Sequence, residues 1–220
     1  MVFEWVSIFI MKALNLHPES YKGTYKAVGG HLALDFVNTV SYRGTEKSHD
    51  WLSRFTNLSF WAKSLGLIDS QQETNANHWA QKNPYEANRL LEDVKHQRER
   101  LYQILYKIHT DEKCSTRDLK AFHKDLAYAF QRRELIQSDK GLRWDWRPGL
   151  SLGERIKSLT IESAFELMTS HETLTKMKAC EGCDWLFLDR SQAKRRRWCT
   201  MEDCGNRAKA RRFYKQKLQK

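Results

Sequence analysis

Four of the five cysteines lie close together near the C-terminus, and their spacing constrains the fold more than any other feature. Cys180 and Cys183 form one close pair, and after fifteen further residues Cys199 and Cys204 form a second. Two close pairs at this separation are typical of a tetrahedral zinc site, because each pair can supply one edge of the tetrahedron. Cys114 stands apart and is expected to be an ordinary thiol.

A zinc ion held by four thiolates keeps no open position for a catalytic water, so we expect one structural Zn²⁺ per chain. Disulfide bonding and redox chemistry are the alternative uses of these cysteines. The total of five cysteines is odd, which does not suit a secreted disulfide framework. A redox Cys-x-x-Cys motif usually lies near a βαβ pattern, and the sequence around Cys180 has none.

The residues beside each pair predict a small finger. The apolar run from Trp185 to Leu188 predicts a short strand, whereas Gly205 to Arg212 predicts a helix that begins at the last ligand. A cysteine knuckle, a hairpin and a helix together predict a treble-clef-like or ribbon-like zinc finger over residues 174–220. The short polar segment His171 to Ala179 is expected to be the junction that leads into it.

The finger closely resembles the bacterial CGNR zinc-finger family, through CEGCDWLFLDRS from Cys180 and RWCTMEDCGNR from Arg197. Upstream, LALDFVNTV from Leu32 and the segment 58–67 resemble the ABATE domain that precedes this finger in the family. The resemblance implies a mixed but mostly helical N-terminal domain, a zinc ion on the four paired cysteines and a role in transcription regulation.

Positive charge is concentrated at the same end of the chain. The net charge is +11, and residues 190–220 hold 12 basic and 2 acidic side chains. The preceding 189 residues are nearly neutral, with 26 basic and 25 acidic side chains. A strongly basic end on a neutral body indicates a polyanionic partner. We expect DNA, with RNA or the ribosome as the alternative partner and an idle solvated tail as the plainest explanation.

The basic residues fall before Cys199 and along the last helix. On a helical projection, Ala210, Phe213 and Tyr214 share one arc and are expected to pack on the zinc hairpin, leaving a basic arc exposed. Asn206 is a candidate for reading a base edge, unless it only caps the helix. The predicted nucleic-acid-binding residues are Arg195, Arg196, Arg197, Asn206, Arg207, Lys209, Arg211, Arg212 and Lys215. For RNA, the candidates for stacking on unpaired bases are Trp185, Phe187 and Trp198.

Residues 21–170 predict a mainly α (α+β) domain that is helical with one small antiparallel hairpin. Helices are expected near 57–65 (ended by Gly66), over 71–81, from Asn83 for about seven turns, after Ser115 or Thr116, and over 152–168. The long helix is expected to expose Arg98, and the next helix to bury Leu119 and Phe130. Residues 133–137 and 142–147 predict the hairpin.

This domain is expected to sense a ligand, to form a homodimer, or both. His31, Asp35 and Asn38 are polar side chains in an apolar run, and they could line a small-molecule pocket. Polar side chains that satisfy buried backbone groups are the alternative account of the same pattern.

Several classes of protein are disfavoured by the sequence. No glycine-rich phosphate loop, nucleophile elbow or two-carboxylate motif occurs, so we expect no enzyme activity. The alternative is an enzyme that acts on a small molecule in the N-terminal pocket, with a finger that is only structural. The last histidine, His171, precedes the finger, which disfavours a nuclease. No apolar run approaches the roughly 20 residues that a membrane span needs, and the start lacks the basic region of a signal peptide. We expect a cytoplasmic protein with residues 1–20 as an N-terminal extension. Its apolar start is expected to pack on the body, unless residues 1–10 lie ahead of a true start at Met11.

Overall fold

The computed structural model describes residues 12–14, 16, 24–139 and 141–218. They divide into two compact units: one joins the residues up to Trp51 to those from Leu167 onward, and the other spans Leu52–Glu166. The sequence predicts a domain boundary at residues 170–174, between two stretches that follow each other along the chain. The first compact unit instead joins two stretches that are distant in sequence. Most of the expected extension, residues 1–20, lies outside the described residues.

Helices dominate the described residues, and every described sheet is a two-stranded antiparallel pair. The helices are α1 Leu32–Val37, α2 Phe55–Ser64, α3 Ser70–Lys82, α4 Pro84–His109, α5 Thr116–Gln131, α6 Leu152–Thr169, α7 His171–Leu174 and α8 Asn206–Leu218. The strands pair as β1 Lys12–Leu14 with β2 Tyr25–Ala27, β3 Val40–Ser41 with β4 His49–Asp50, β5 Arg133–Ser138 with β6 Gly141–Trp146, and β7 Met177–Ala179 with β8 Leu186–Leu188. The predicted mainly helical fold is confirmed, and besides the expected hairpin the described residues before Leu52 form two short strand pairs that the sequence did not predict, β1 with β2 and β3 with β4. None of the described helices is both long and apolar enough to cross a bilayer.

The helices of the Leu52–Glu166 unit begin and end at the residues that local chemistry selects. Gly66 follows α2 with φ +71°, a conformation that favours glycine. Asp69 and Gln72 form a reciprocal capping box at the start of α3. Pro84 opens α4, and the Ser115 side chain accepts a hydrogen bond from the Asp118 backbone at the start of α5.

The long helix α4 forms the centre of this unit. Apolar side chains such as Leu91, Val94 and Leu105 are buried along one stripe, and the buried amide of Gln97 donates to the Lys157 carbonyl of α6 over 2.7 Å. The expectation that Arg98 is exposed is wrong, because only 2% of the surface of Arg98 is accessible to solvent. Helices α2, α3 and α5 all pack against α4, so α4 is covered on more sides than a helix with one buried stripe.

The predicted inner face of α5 is only partly correct. Ala129 is fully buried, but Leu119 is 49% and Phe130 41% exposed. Among the described elements, α5 makes its main contacts with α4 and β5, so its buried face is narrow. Apolar residues at the edges of that face therefore remain in solvent.

The predicted hairpin is confirmed as β5 and β6, with Leu135 opposite Trp144; Lys140 of its turn lies outside the described residues. Its first residue anchors it to the helices. The Arg133 guanidinium donates to both carboxylate oxygens of Glu162, over 3.3 and 2.7 Å, and lies 3.5 Å from the ring centre of Trp146. Both charged side chains are buried, so this ion pair is shielded from solvent.

The other unit is built around α1 and β8. All six residues of α1 and all three of β8 are buried, and the two elements pack on each other. The expected junction His171 to Ala179 is therefore more than a linker, because its second half is β7, the partner strand of β8.

Candidate metal centre and basic surface

The four predicted zinc ligands come together on three short elements. Cys180 and Cys183 lie in the turn between β7 and β8, where the Asp184 backbone donates to the Cys180 carbonyl over 2.9 Å. Cys199 precedes a single π-helical turn, Met201–Gly205, that holds Cys204 and runs directly into α8. The order of knuckle, hairpin and helix is the predicted one.

The positions of the sulfur atoms fit a tetrahedral metal ion. All four cysteines are buried, and their ligand atoms lie within 4.8 Å of one another. The Cys199 Sγ is 3.7 Å from both Cys183 Sγ and Cys204 Sγ. A zinc ion with sulfur ligands at 2.3 Å requires separations of about 3.8 Å, so the observed distances suit zinc. Gly182 keeps the knuckle close, since a Cβ there would lie 3.2 Å from the Cys204 Sγ.

Basic side chains stabilise the negative charge of this sulfur cluster. The Arg207 guanidinium donates to the Cys204 Sγ over 3.0 Å, and the Arg196 guanidinium donates to the Cys199 carbonyl over 2.6 Å. Hydrogen bonds with the other three cysteines lower the pKa of Cys180 far below its ordinary value, and the hydrogen bond with Cys180 raises the pKa of Cys183 and Cys199. These contacts favour a thiolate at Cys180, and the Arg207 guanidinium places positive charge beside the Cys204 sulfur.

Three of the predicted nucleic-acid-binding arginines also have structural contacts. Besides its bond to Cys199, Arg196 lies 4.6 Å from the Phe187 ring centre, and its backbone donates to the buried Asp189. Arg197 forms two hydrogen bonds with the Glu181 carboxylate, and Arg207 contacts the metal centre. These contacts hold the basic residues at set positions around the metal site.

The remaining predicted residues are exposed. Asn206, the first residue of α8, donates its side-chain amide to the Glu202 carbonyl of the preceding π-helical turn over 3.1 Å. The side chains that extend from the loop and from α8 into solvent are Arg195, Lys209, Arg211, Arg212 and Lys215. Together with Arg196, Arg197, Asn206 and Arg207 they form what we call the basic surface.

The expected packing of α8 on the zinc hairpin is wrong. Phe213 is 63% and Tyr214 65% exposed, and no described residue of α8 is buried. Strand β8 is fully buried and packs against α1 instead. Helix α8 makes its main contacts with the π-helical turn that precedes it.

Two of the three predicted stacking residues are also unsuited to that role. Trp185 is 7% exposed, and its indole N–H donates to the Val40 carbonyl over 2.9 Å. Phe187 is fully buried. Trp198 is half-buried and keeps part of its surface accessible.

The three predicted pocket residues lie on or beside α1, and two of them bind backbone groups of the chain. Asn38 bonds to the backbone of Leu186 through both its amide atoms, over 2.8 and 2.9 Å. Asp35 accepts from the Gly29 backbone over 2.8 Å, and burial raises its pKa to about 7. Burial and the nearby charge of Arg190 lower the pKa of His31 to about 4.

Sequence reasoning missed the residues that fasten the finger to the segment before Leu52. The Lys26 ammonium contacts the carboxylates of Glu202 and Asp203, over 3.1 and 2.8 Å. The Leu188 backbone donates to the Gly29 carbonyl over 2.9 Å. These partners are more than 150 residues apart, and no local pattern in the sequence marks them.

Comparison with known families agrees with the site. The CGNR zinc finger family matches residues 176–217. The ABATE family, described as "Putative stress-induced transcription regulator", matches residues 30–171. A comparison with curated proteins finds no match.

Proposed function

Because this chain belongs to the ABATE family and carries a CGNR zinc finger, we propose that it is a cytoplasmic, zinc-dependent transcription regulator that binds DNA through the basic surface. The main support for this proposal is that basic residues on the loop before Cys199 and on α8 bond to the same cysteine cluster. Arg196 bonds to the carbonyl of Cys199, and Arg207 bonds to the sulfur of Cys204. A zinc ion supplies the rigid support, and the arginines and lysines supply the contacts.

The chemistry of the basic surface suits the phosphate backbone. Guanidinium and ammonium groups that contact phosphates release bound counterions, which gives affinity and a steep salt dependence but no choice of sequence. Sequence choice would come from a bidentate arginine of α8 or from Asn206 at a base edge. The exposure of the whole of α8 leaves these side chains accessible to a DNA groove.

The test is a selection from genomic DNA by the zinc-loaded protein at near-physiological salt, followed by sequencing of the retained fragments. A recurring motif supports sequence-specific regulation. Arg211→Ala should weaken binding and flatten the dependence of log affinity on log salt by about one contact. Arg89→Ala removes an exposed arginine of α4 and is the matched control. Uniform retention that disappears with modest added salt would contradict specific recognition.

RNA is the alternative partner for the same surface. Competition between duplex DNA and structured RNA for the zinc-loaded protein distinguishes the two. If the protein retains RNA in preference to DNA, its proposed partner is RNA or the ribosome instead of DNA.

We further propose that the region before the finger senses a ligand or forms a homodimer, and that the chain acts by binding rather than by catalysis. The support for a dimer is a set of large apolar side chains left exposed in the Leu52–Glu166 unit: Leu119, Phe130, Leu135 and Leu142. Native mass spectrometry tests both ideas, since it reports the mass of a dimer and of any bound metabolite. A bare monomer at all concentrations would contradict them.

A further inference from the structure

We propose that a groove between α8 and the cysteine knuckle binds an unpaired nucleotide, with its base against Trp198 and Tyr214 and its phosphate against the basic residues of α8. This inference rests on the proposed function, because it adds a second kind of contact to the same nucleic-acid surface. It identifies the class of ligand as single-stranded nucleic acid.

The groove is a built feature of the finger. Its cavity volume is about 630 Å³, within the range of about 300–1,000 Å³ that holds small ligands. Glu181 and Gly182 of the knuckle form one side, and the first three turns of α8 form the other. Trp198, which is next to the predicted zinc ligand Cys199, also lines the groove. Both walls therefore adjoin the cysteine cluster, and a metal ion bound there would hold them in place.

The lining has the two chemistries that a nucleotide requires. Trp198 and Tyr214 both line the groove, and aromatic rings stack on unpaired bases whatever their sequence. Arg207, Arg211 and Lys215 provide positive charge for the phosphate.

The acidic side chain in the groove does not oppose an anion. Both carboxylate oxygens of Glu181 accept hydrogen bonds from Arg197, over 2.6 and 2.5 Å. The Arg197 guanidinium lies 5.2 Å from the Trp198 ring centre, so the neutralised pair sits beside the stacking ring.

A regular duplex cannot use this groove fully. Paired bases are stacked on their neighbours, so their flat faces are hidden from Trp198 and Tyr214. An unpaired base exposes such a face, which is how proteins recognise loops and single strands. Single-stranded DNA and single-stranded RNA share this chemistry, and a direct comparison distinguishes them.

The chain offers a matched pair of aromatic residues for the test. Tyr214 and Phe213 are adjacent on α8 and are 65% and 63% exposed, but only Tyr214 is among the groove-lining residues. Tyr214→Ala should therefore weaken binding of a single strand where Phe213→Ala does not. Tyr214→Phe keeps the ring and should retain the affinity.

The measurement is fluorescence anisotropy of a labelled oligothymidine, an oligouridine and a duplex DNA, with zinc-loaded full-length protein. Tyr214→Ala should weaken single-strand binding about tenfold and change duplex binding far less. The groove is refuted if Tyr214→Ala and Phe213→Ala behave alike, or if single-strand and duplex binding fall equally while wild type binds both. Wild-type protein that binds none of the three would refute the proposed function as well. Circular dichroism and zinc content show that each variant is folded.

Discussion

The side-chain amide of Asn38 pairs with the backbone of Leu186, 148 residues further along the chain. Its Nδ2 donates to the Leu186 carbonyl over 2.8 Å, and its Oδ1 accepts from the Leu186 N–H over 2.9 Å. Asn38 is fully buried at the end of α1, and Leu186 begins the strand that leads away from the cysteine knuckle. The Asn38 amide takes the place of a neighbouring strand beside β8. The finger and the residues up to Trp51 therefore belong to one folded unit.

Asn38→Ala should lower the free energy of unfolding by about 2–4 kcal/mol, because it leaves the buried N–H and carbonyl of Leu186 without partners. Denaturant unfolding of the zinc-loaded protein measures the loss. Asn88→Ala, at an exposed position of α4, is the control and should have little effect. Equal stability of the two variants would show that the Asn38 bonds are replaced by others.

Removal of zinc should loosen α1 as well as the finger, because α1 packs on β8. Cys204→Ser, or a chelator, should therefore increase amide hydrogen exchange over Leu32–Val37 and over β8. The amides of α4, in the other compact unit, should keep their protection. Cys114→Ser removes a thiol outside the cluster and should change neither region. Protection of α1 that survives loss of the metal would contradict the shared unit.

Arg207→Ala should weaken zinc binding about tenfold or more, because it removes the guanidinium that donates to the Cys204 Sγ. Competition with a chromophoric chelator measures the affinity. Arg211 lies one turn further along α8, and Arg211→Ala should leave zinc affinity unchanged. Unchanged zinc affinity in Arg207→Ala would show that this contact does not stabilise the thiolate.

The free energy of unfolding of the wild-type protein should fall as the pH rises, because the buried Asp35 has to ionise. Asp35→Asn should abolish this part of the pH dependence. The pKa of Asp35 is about 7 in the folded protein and near 3.8 when unfolded, so the folded state holds the proton more tightly. The contribution of Asp35 to the free energy of unfolding is complete below about pH 4 and is lost as the pH rises to about 7.

Unfolding curves across this range give the free energy of both proteins. The difference between variant and wild type should grow in favour of Asp35→Asn by up to about 4 kcal/mol as the pH rises. The buried His31, whose pKa is lowered, contributes the opposite slope, but it is present in both proteins and cancels. Parallel curves would show that Asp35 ionises as readily in the folded state as in the unfolded chain.

Glu162→Ala should destabilise the Leu52–Glu166 unit by about 3–5 kcal/mol, because it leaves the buried guanidinium of Arg133 without its counterion. Thermal or denaturant unfolding measures the effect. Glu92→Ala breaks the more exposed pair with Lys95 on α4 and should cost less than about 0.5 kcal/mol. Similar costs for the two variants would mean that Arg133 finds another partner.

The features that depend on neighbouring residues could be predicted from the amino-acid sequence alone. The spacing of the cysteines selected the four residues that cluster, and caps such as Ser115 and Gly66 marked the helix ends. The hairpin from Arg133 to Trp146 followed from its alternation and its turn. In each case the interacting groups lie within a few residues of one another, or repeat along a single helix or strand.

Which surfaces face solvent depends on how the whole chain packs, and local patterns predicted it poorly. Phe213 and Tyr214 have the pattern of a packed face, yet α1 already covers the strand that they were expected to meet. Arg98 has the pattern of an exposed residue, yet three helices surround α4. The role of Asn38 depends on a strand 148 residues away. Burial and long-range hydrogen bonds are set by the partners that the whole chain brings together, and a local pattern does not record which partner will cover a given face.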